Sequence, residues 1–486
     1  MLTYALPVWI LDMNDKRLEE LTIALNRQLF DESIGLPCDQ QELDRLTDEL
    51  EQEYRQAVTD LDRRDMALDG LADMLSTRWH QRWLDAVDRV LIAPNLATSG
   101  EPATWHNWKR LEQALDAQSR RHLFAEFVSQ SEQLTPLIEE RYLAVHQLYA
   151  QYDMTPLHVF AHHEGTTPEA IRALAMDIGR ASREPFQAAL QDLASQVFWG
   201  DVTAAELRAL YLNRMYEPLA PLFARRDSLA DVRVAFSRLG FGTDRIAVDL
   251  QDRPKKYAGA FCFPVQIPDD VRISVRSTSP HHLADMLFHE FGHAVHFAGI
   301  DPTLPFADRY WMHAGTHETV AALFESLLGL PEFLSDTTWL NEPQVRQLVA
   351  FDRFKNLLTG TWLAATGLTV CDAWLEHLSW SEIEQRYAWY CEQFTGVKIP
   401  AGFARLDLYV SRVDVYPLGY VMAAVRVAHW LDDLRSDWGV RWWADERTGQ
   451  AIRERIRLGG ALKFEDAWLD SGAFVRRWIL PMIWGE

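Results

Sequence analysis

From Leu283 to Ala298 the chain runs through apolar residues and admits few polar ones: Asp285, His289, Glu290, His293 and His296. The run reads as an apolar helix. Positions four apart on a helix sit above one another, so His289 and His293 can offer two imidazole nitrogens to one metal ion. Glu290 projects roughly a quarter-turn away, beside such an ion rather than onto it. A general base stands there to take a proton from metal-activated water.

At 486 residues the chain exceeds what one simple core supports, which predicts two lobes with a cleft between them. The change in patterning near residue 240 suggests a helical amino-terminal lobe over 1–240 and a catalytic lobe over 241–486. Acidic residues number 70 against 48 basic ones, a net charge of −22, so the mean field repels nucleic acid and anionic lipid. Cys38, Cys262, Cys371 and Cys391 are far apart and form no CxxC pair, which argues against a disulfide framework and against a thiolate zinc site. The apolar opening Leu2 to Leu11 has no basic residue before it and charges at once after it, unlike a signal peptide. No run reaches the length of a membrane span. These features predict a reduced, soluble, cytoplasmic protein.

Between Asp15 and Val197 apolar residues recur at three- and four-residue spacing, as in Leu43, Leu46, Leu50 and Leu68, Leu71, Met74, Leu75. Breaks fall at Gly35 to Pro37, Ala93 to Pro102 and Met154 to Pro156. Arg245 to Leu250 and Val271 to Ser277 alternate with period two and read as strands separated by the Gly/Pro-bearing stretch Tyr257 to Pro268. Val271 to Ser277 suits either an edge strand open to an extended peptide or an ordinary internal strand. Ser277 to Pro280 suits the start of the metal-motif helix. A loop follows from Ile300 to Ala314, and helical patterning then continues almost to Glu486. The fold class is mainly α, with one small sheet beside the metal-motif helix.

Two histidines do not hold zinc well, so a third protein ligand is expected, with one position left for water. Candidates are Asp285, His296, His313, His317, Glu318 and Glu325. In Ala314 to Glu325 the apolar Val320, Leu323 and Phe324 recur at helical spacing, and Glu318 and Glu325, seven apart, share one helix face. That pairing assigns Glu318 to the metal and Glu325 to the far nitrogen of a liganding histidine. His313 and His317 read as cleft-lining or capping residues, and His281, His282 and His296 as surface or packed ones. Tyr416 and Tyr420 flank Gly419 at a spacing that brings both hydroxyls to one side of a helix.

Several of these segments resemble known families. Ala314 to Glu325, with Glu318 standing 25 residues beyond His293, resembles the third-ligand helix of the thimet oligopeptidase and oligoendopeptidase F family. Gly315-Thr316-His317-Glu318 is similar to the Gly-Ile-His-Glu of the thermostable carboxypeptidase Taq family. Lys256 with Gly259-Ala260-Phe261-Cys262 resembles a segment of the oligopeptidases, and Asp270-Val271-Arg272-Ile273 a strand of the carboxypeptidases. Tyr416-Pro417-Leu418-Gly419-Tyr420 falls between the two families' patterns. The resemblance spans Lys256 to Tyr420. It implies a large, two-lobed, zincin-type helical metallopeptidase with a deep cleft and one zinc ion per chain held by His289, His293 and Glu318. It further implies Glu290 as general base, Tyr420 or Tyr416 as donor to the tetrahedral oxyanion, and short oligopeptides as substrates.

The chain also departs from those patterns. Ser411 stands where the oligopeptidases carry a His, with Arg412 the nearest cation, and Ala423 where they carry a further Tyr. The carboxypeptidases' Ile-Arg-x-x-Ala-Asp segment is missing after Glu325. Two alternatives to an oligoendopeptidase follow. One is a carboxypeptidase that holds the terminal carboxylate with Arg272, Arg276 or Arg412; the other is a silent peptide-binding protein.

Overall fold

The computed structural model describes residues 8–93, 102–197, 201–212, 214–336, 340–465 and 469–479. The chain is mainly helical. The expected break at Ala93 to Pro102 lies, apart from its ends, outside the described residues, as do positions 2–7 of the apolar opening and 480–486 of the last stretch.

Helices α1 (Val8–Ser33), α2 (Gln40–Ala57) and α3 (Arg64–Val90) open the fold. The expected stripes point inward: Leu43, Leu46 and Leu50 are buried, as are Leu68, Leu71 and Met74, while Leu75 is half-buried. Asp39 caps α2 through the backbone amides of Gln41 and Glu42. The turn before it uses Gly35 at φ 76, where a side chain would also strike the backbone of Lys256 at 2.8 Å. Thr155 and Pro156 restart a helix where the third break was expected. The long helix α4 (Pro168–Val197) follows.

The sheet has three strands, β1 (Ala247–Asp249), β2 (Ala260–Gln266) and β3 (Asp270–Val275), in the order β1-β3-β2. Strand β2 corrects the sequence reading, which left Tyr257 to Pro268 as a connection. Its Pro264 lacks an N–H and reads as a breaker, but an edge strand tolerates it. Phe261 and Phe263 of β2 pack with Val265, Phe30 and Ile34 in a small cluster against α1. The strand expected over Val271 to Ser277 is the central one, parallel to β1 and antiparallel to β2, so its backbone is paired on both sides. It therefore offers no free edge to a peptide.

Helix α5 (Pro280–Gly299) carries the histidine motif. Ser279 caps it by accepting from the amide of His282, with Pro280 in the first turn, as the sequence indicated. The segment Ile300 to Ala314, expected to be a loop, contains a short helix at Phe306–Tyr310. Helix α6 (Ala314–Glu325) comes next, then α7 (Glu342–Glu376), opened by a capping box of Asn341 and Gln344 and buried along most of its length. The short α8 (Leu408–Arg412) precedes α9 (Tyr416–Trp438). Buried apolar residues from Leu18 to Ile479 form one connected core that joins both halves of the chain. No helix among the described residues is long and apolar enough to cross a membrane.

Helix α6 lies wedged between α5 and α9, and glycine makes both approaches possible. A Cβ on Gly292 would stand 2.7 Å from the Cα of Ala321, and one on Gly419 would stand 2.3 Å from the Cβ of Ala314 and 2.7 Å from its carbonyl carbon. Backbone cannot swing aside as a side-chain tip can, so the helices would have to separate. Gly292→Ala should therefore lower stability by about 1–3 kcal/mol through overpacking. Denaturant unfolding checks this, and an unchanged midpoint would mean that the two helices part without cost.

Candidate metal centre

The packing of α5 on α6 brings His289, His293 and Glu318 together. Their Nε2, Nε2 and Oε2 atoms form a triangle with sides of 3.1 Å between the histidines, 3.3 Å from His289 to Glu318 and 3.5 Å from His293 to Glu318. A tetrahedral ion with bonds of about 2.0–2.2 Å would set its ligand atoms roughly 3.3–3.6 Å apart. The three residues fit such an ion. The chemistry agrees: Glu318 Oε2 is buried without a hydrogen-bond partner and faces two imidazole nitrogens that already crowd each other.

Neighbouring groups fix the orientation of each donor. His289 turns its Nδ1 to Glu325 Oε2 at 2.8 Å, as the sequence reading assigned, which leaves Nε2 aimed into the triangle. Glu325 Oε1 accepts from Lys355 Nζ at 2.8 Å, and Lys355 also donates to Asp285 Oδ1 at 2.6 Å, with Asp352 at 3.7 Å. Asp285, a candidate ligand on sequence grounds, is thus occupied by Lys355. The hydroxyl of Tyr416 donates to Glu318 Oε1, so the two oxygens of that carboxylate face different partners.

Burial alone would pull the His289 imidazole down, but Glu318 and Glu325 more than reverse it and raise its pKa well above the ordinary histidine value. Burial would push the Glu318 carboxyl up, and the facing histidines instead hold it well below the usual carboxylate range. Burial raises Glu290, with the two histidines opposing. Among the described residues no protein group is hydrogen-bonded to the Glu290 carboxylate, although the residue is 4% exposed. Tyr416 and Tyr420 are raised well above the ordinary phenol range by burial and then by Glu318, so both hydroxyls stay protonated.

The other candidates are not part of the triangle. His296 is fully buried beside Phe297, and His281 stacks on Tyr216 at 3.6 Å, so both are packed residues. His282 Nδ1 accepts from the amide of Thr278. His313 stands at the N-cap of α6 without a capping bond and packs on His163 at 3.8 Å. His317 Nδ1 is 3.6 Å from Glu318 Oε1, beside the ligand set. Ser411, where a histidine was looked for, is buried and turns its hydroxyl to Leu408 O. Ala423 is buried in α9. Lys256 ties the β1–β2 connection through Asp249 and Gln251. Arg272 is held by Asp270 and Arg276 by Asp252, each at 2.7 Å. Arg412 alone of the three arginines has no carboxylate within 4.0 Å among the described residues.

Sequence reasoning missed Lys355 and Tyr409. Lys355 sits in the buried helix α7, where a lysine has to find acid, and Asp352 three residues earlier was the visible hint. Tyr409 stacks on Tyr416 with centroids 6.0 Å apart and meets Tyr420 edge to face at 6.2 Å. Compared with known proteins, the chain matches no protein-family model and no curated protein.

A metal ion bound here would displace a proton from His289, whose pKa Glu318 and Glu325 raise well above the ordinary histidine value. Its apparent affinity should fall as pH falls and rise until the imidazole is already neutral. Calorimetry of zinc binding at pH 7 in two buffers of different ionisation enthalpy should show about one proton released per ion; a value near zero would mean that His289 was already neutral. Glu318→Ala should strip zinc retention after dialysis, and full retention would place the third ligand elsewhere.

Proposed function

We propose that this chain is a zinc-dependent peptidase that hydrolyses peptide bonds in short oligopeptides. In this reading it is a two-lobed, zincin-type enzyme with a cleft at the metal centre, acts in the cytoplasm, and works on neither nucleic acid nor membranes. It is of the kind represented by the thimet oligopeptidase, oligoendopeptidase F and carboxypeptidase Taq families. The observation that carries it is the convergence of His289, His293 and Glu318 with an unpartnered, buried Glu290 next to His289 on the same helix.

His289, His293 and Glu318 would hold one zinc ion, which when bound supplies Lewis acidity and makes water acidic near neutral pH. Glu325, braced by Lys355, fixes the tautomer of His289 so that Nε2 is free to bind. Tyr416 holds Glu318 through Oε1 and leaves Oε2 for the ion. Glu290 takes a proton at its carboxylate from the attacking water and delivers it to the amine that leaves. Tyr420, protonated and within electrostatic reach of Glu318, donates its hydroxyl to the carbonyl oxygen as negative charge develops there. Loss of one such donor costs about 2.7–4 kcal/mol of barrier. Tyr416 is the weaker choice for that task because Glu318 already engages its hydroxyl.

The test is Glu290→Gln, assayed with zinc content and with turnover on a mixed peptide library. The variant should keep one zinc per chain and lose several orders of magnitude in turnover, while wild type produces cleaved peptides. Near-normal hydrolysis by the variant would remove Glu290 from the mechanism. Zinc-loaded wild type that cleaves nothing would favour the silent binding protein, and a ladder of single-residue losses would favour the carboxypeptidase.

A further inference from the structure

Near the metal centre lies a cavity of about 620 Å3, bounded by α1 and α3 on one side and by β2, Tyr257 and α8 on the other. Its size falls in the range of about 300–1,000 Å3 typical of small-ligand sites. Trp83, Trp105, Trp108, Tyr257 and Trp311 give it aromatic walls. None of His289, Glu290, His293 or Glu318 lines it. Helix α8 is the partition: Leu408 and Arg412 face the cavity, and Tyr409 between them stacks on Tyr416 at the metal centre.

Arg412 and Asp73, of opposite charge, both line this space without a salt bridge among the described residues, as do Lys109, Glu32 and Lys255. The Arg412 guanidinium donates to His80 Nδ1 at 3.0 Å and lies 5.7 Å from the centre of the Trp79 ring, and its Nε is buried with no partner. His80 supplies no charge, because burial and Arg412 bring its pKa down to about 3. Asp73 lies seven residues before His80 on α3, on the same face, and its carboxylate opens onto the same cavity. That carboxylate makes no hydrogen bond or salt bridge among the described residues. Desolvation, then Asp69 and Asp414, push its pKa up to about 7 against the pull of Arg141 and Arg412, so it is about half ionised near neutral pH. Of the other charged groups here, Arg208 pairs with both oxygens of Glu112 at 2.9 Å, Lys109 donates to Ala258 O at 2.7 Å, Glu32 accepts from Gln81, and Lys255, like Asp73, is exposed.

A guanidinium whose Nε is buried without a partner and an unpaired carboxylate open onto the same aromatic cavity, and each gains a partner from a ligand group of the opposite sign. A ligand that carries both signs relieves both. We propose that this cavity binds a short peptide-like ligand bearing one carboxylate and one ammonium group, the carboxylate on Arg412 and the ammonium on Asp73. The aromatic walls receive the apolar side chain between them. This site lies outside the triad and does not require the triad to be catalytic.

Calorimetric titration of the full chain carrying Glu290→Gln tests this with Ala-Phe-Ala in free, N-acetylated, C-amidated and doubly blocked forms. The free peptide should bind, and each block should weaken binding by about tenfold. Arg412→Gln should erase the penalty of the amide and leave that of the acetyl group, and Asp73→Asn should do the reverse. Arg412→Lys, which keeps the charge, should retain part of the amide penalty, and the melting temperatures of all three variants confirm that they are folded. Tight binding of doubly blocked Lys-Phe-Glu would keep both anchors and make side chains the source of the charges. Binding should survive dialysis against a chelator. Equal affinity for free and doubly blocked peptides, an amide penalty that persists in Arg412→Gln, loss of all binding with the metal, or no binding by any probe would overturn the proposal.

Discussion

The contact between Gly292 of α5 and Ala321 of α6 is the constraint on which the convergence of His289, His293 and Glu318 depends. Because no Cβ intervenes, the backbones come close enough for Glu318, less than a turn before Ala321, to reach two imidazoles on the facing helix. A second glycine contact, Gly419 against Ala314 and Gly315, sets α9 on the opposite side of α6 and delivers Tyr416 to the outer oxygen of the same carboxylate. The ligand triangle is thus a consequence of helix spacing before it is a matter of side-chain rotamers. Small residues at both crossings do the positioning, and the functional side chains project from the helix faces that those crossings fix.

Electrostatics around the triangle are unbalanced in a way that suits a dication. Glu290, Glu318, Glu325, Asp285 and Asp352 lie on three adjacent helices, and Lys355 is the cation hydrogen-bonded among them. Burial pushes the Asp352 pKa up to about 6, with Lys355 opposing, so this acid still carries most of its charge at neutral pH. A chain of charge-assisted bonds runs from His289 through Glu325 and Lys355 to Asp285, and every link is short. Such a chain orients its members strongly because removal of one partner strands a buried charge in the next. The excess of acid that remains faces His289 and His293, where a positive ion would be placed most favourably.

Much of this was legible in the amino-acid sequence, and the limits were physical. His289, Glu290 and His293 could be read because a helix converts spacing into direction without help from tertiary structure. Glu318 and Glu325 could be paired for the same reason, and the bond from Glu325 to His289 follows from their helix alone once α6 is known to face α5. Lys355 could not be read, since its meeting with Asp285 and Glu325 depends on how α7 packs, 30 residues beyond the nearer acid. Strand β2 was hidden because Pro264 and Gly259 carry breaker signals while the alternation of Phe261, Phe263 and Val265 is only three residues deep. The central position of β3 was equally hidden, for strand order is set by non-local pairing and a period of two describes centre and edge strands alike.

Helix α8 links the candidate metal centre to the cavity, and its surroundings hold it unusually firmly for five residues. Asp407 caps it through the amides of Tyr409 and Val410 and also accepts from the Tyr387 hydroxyl at 2.9 Å and the Trp362 indole at 3.3 Å. The helix ends at Val413, whose φ of 48 is in the left-handed region that a β-branched side chain avoids, at a cost of about 1–3 kcal/mol. Trp374 donates to the Val413 carbonyl at 3.0 Å and secures that conformation. The turn reverses the chain between Arg412, which faces the cavity, and Tyr416, which faces Glu318. Strain of this kind persists only where surrounding contacts over-determine it, and here those contacts fix the two side chains that stand on either side of the partition. A ligand held by Arg412 would therefore press on a rigid element whose other face carries Tyr409 against Tyr416, so that occupancy of the cavity and the posture of the Glu318 carboxylate share one mechanical support.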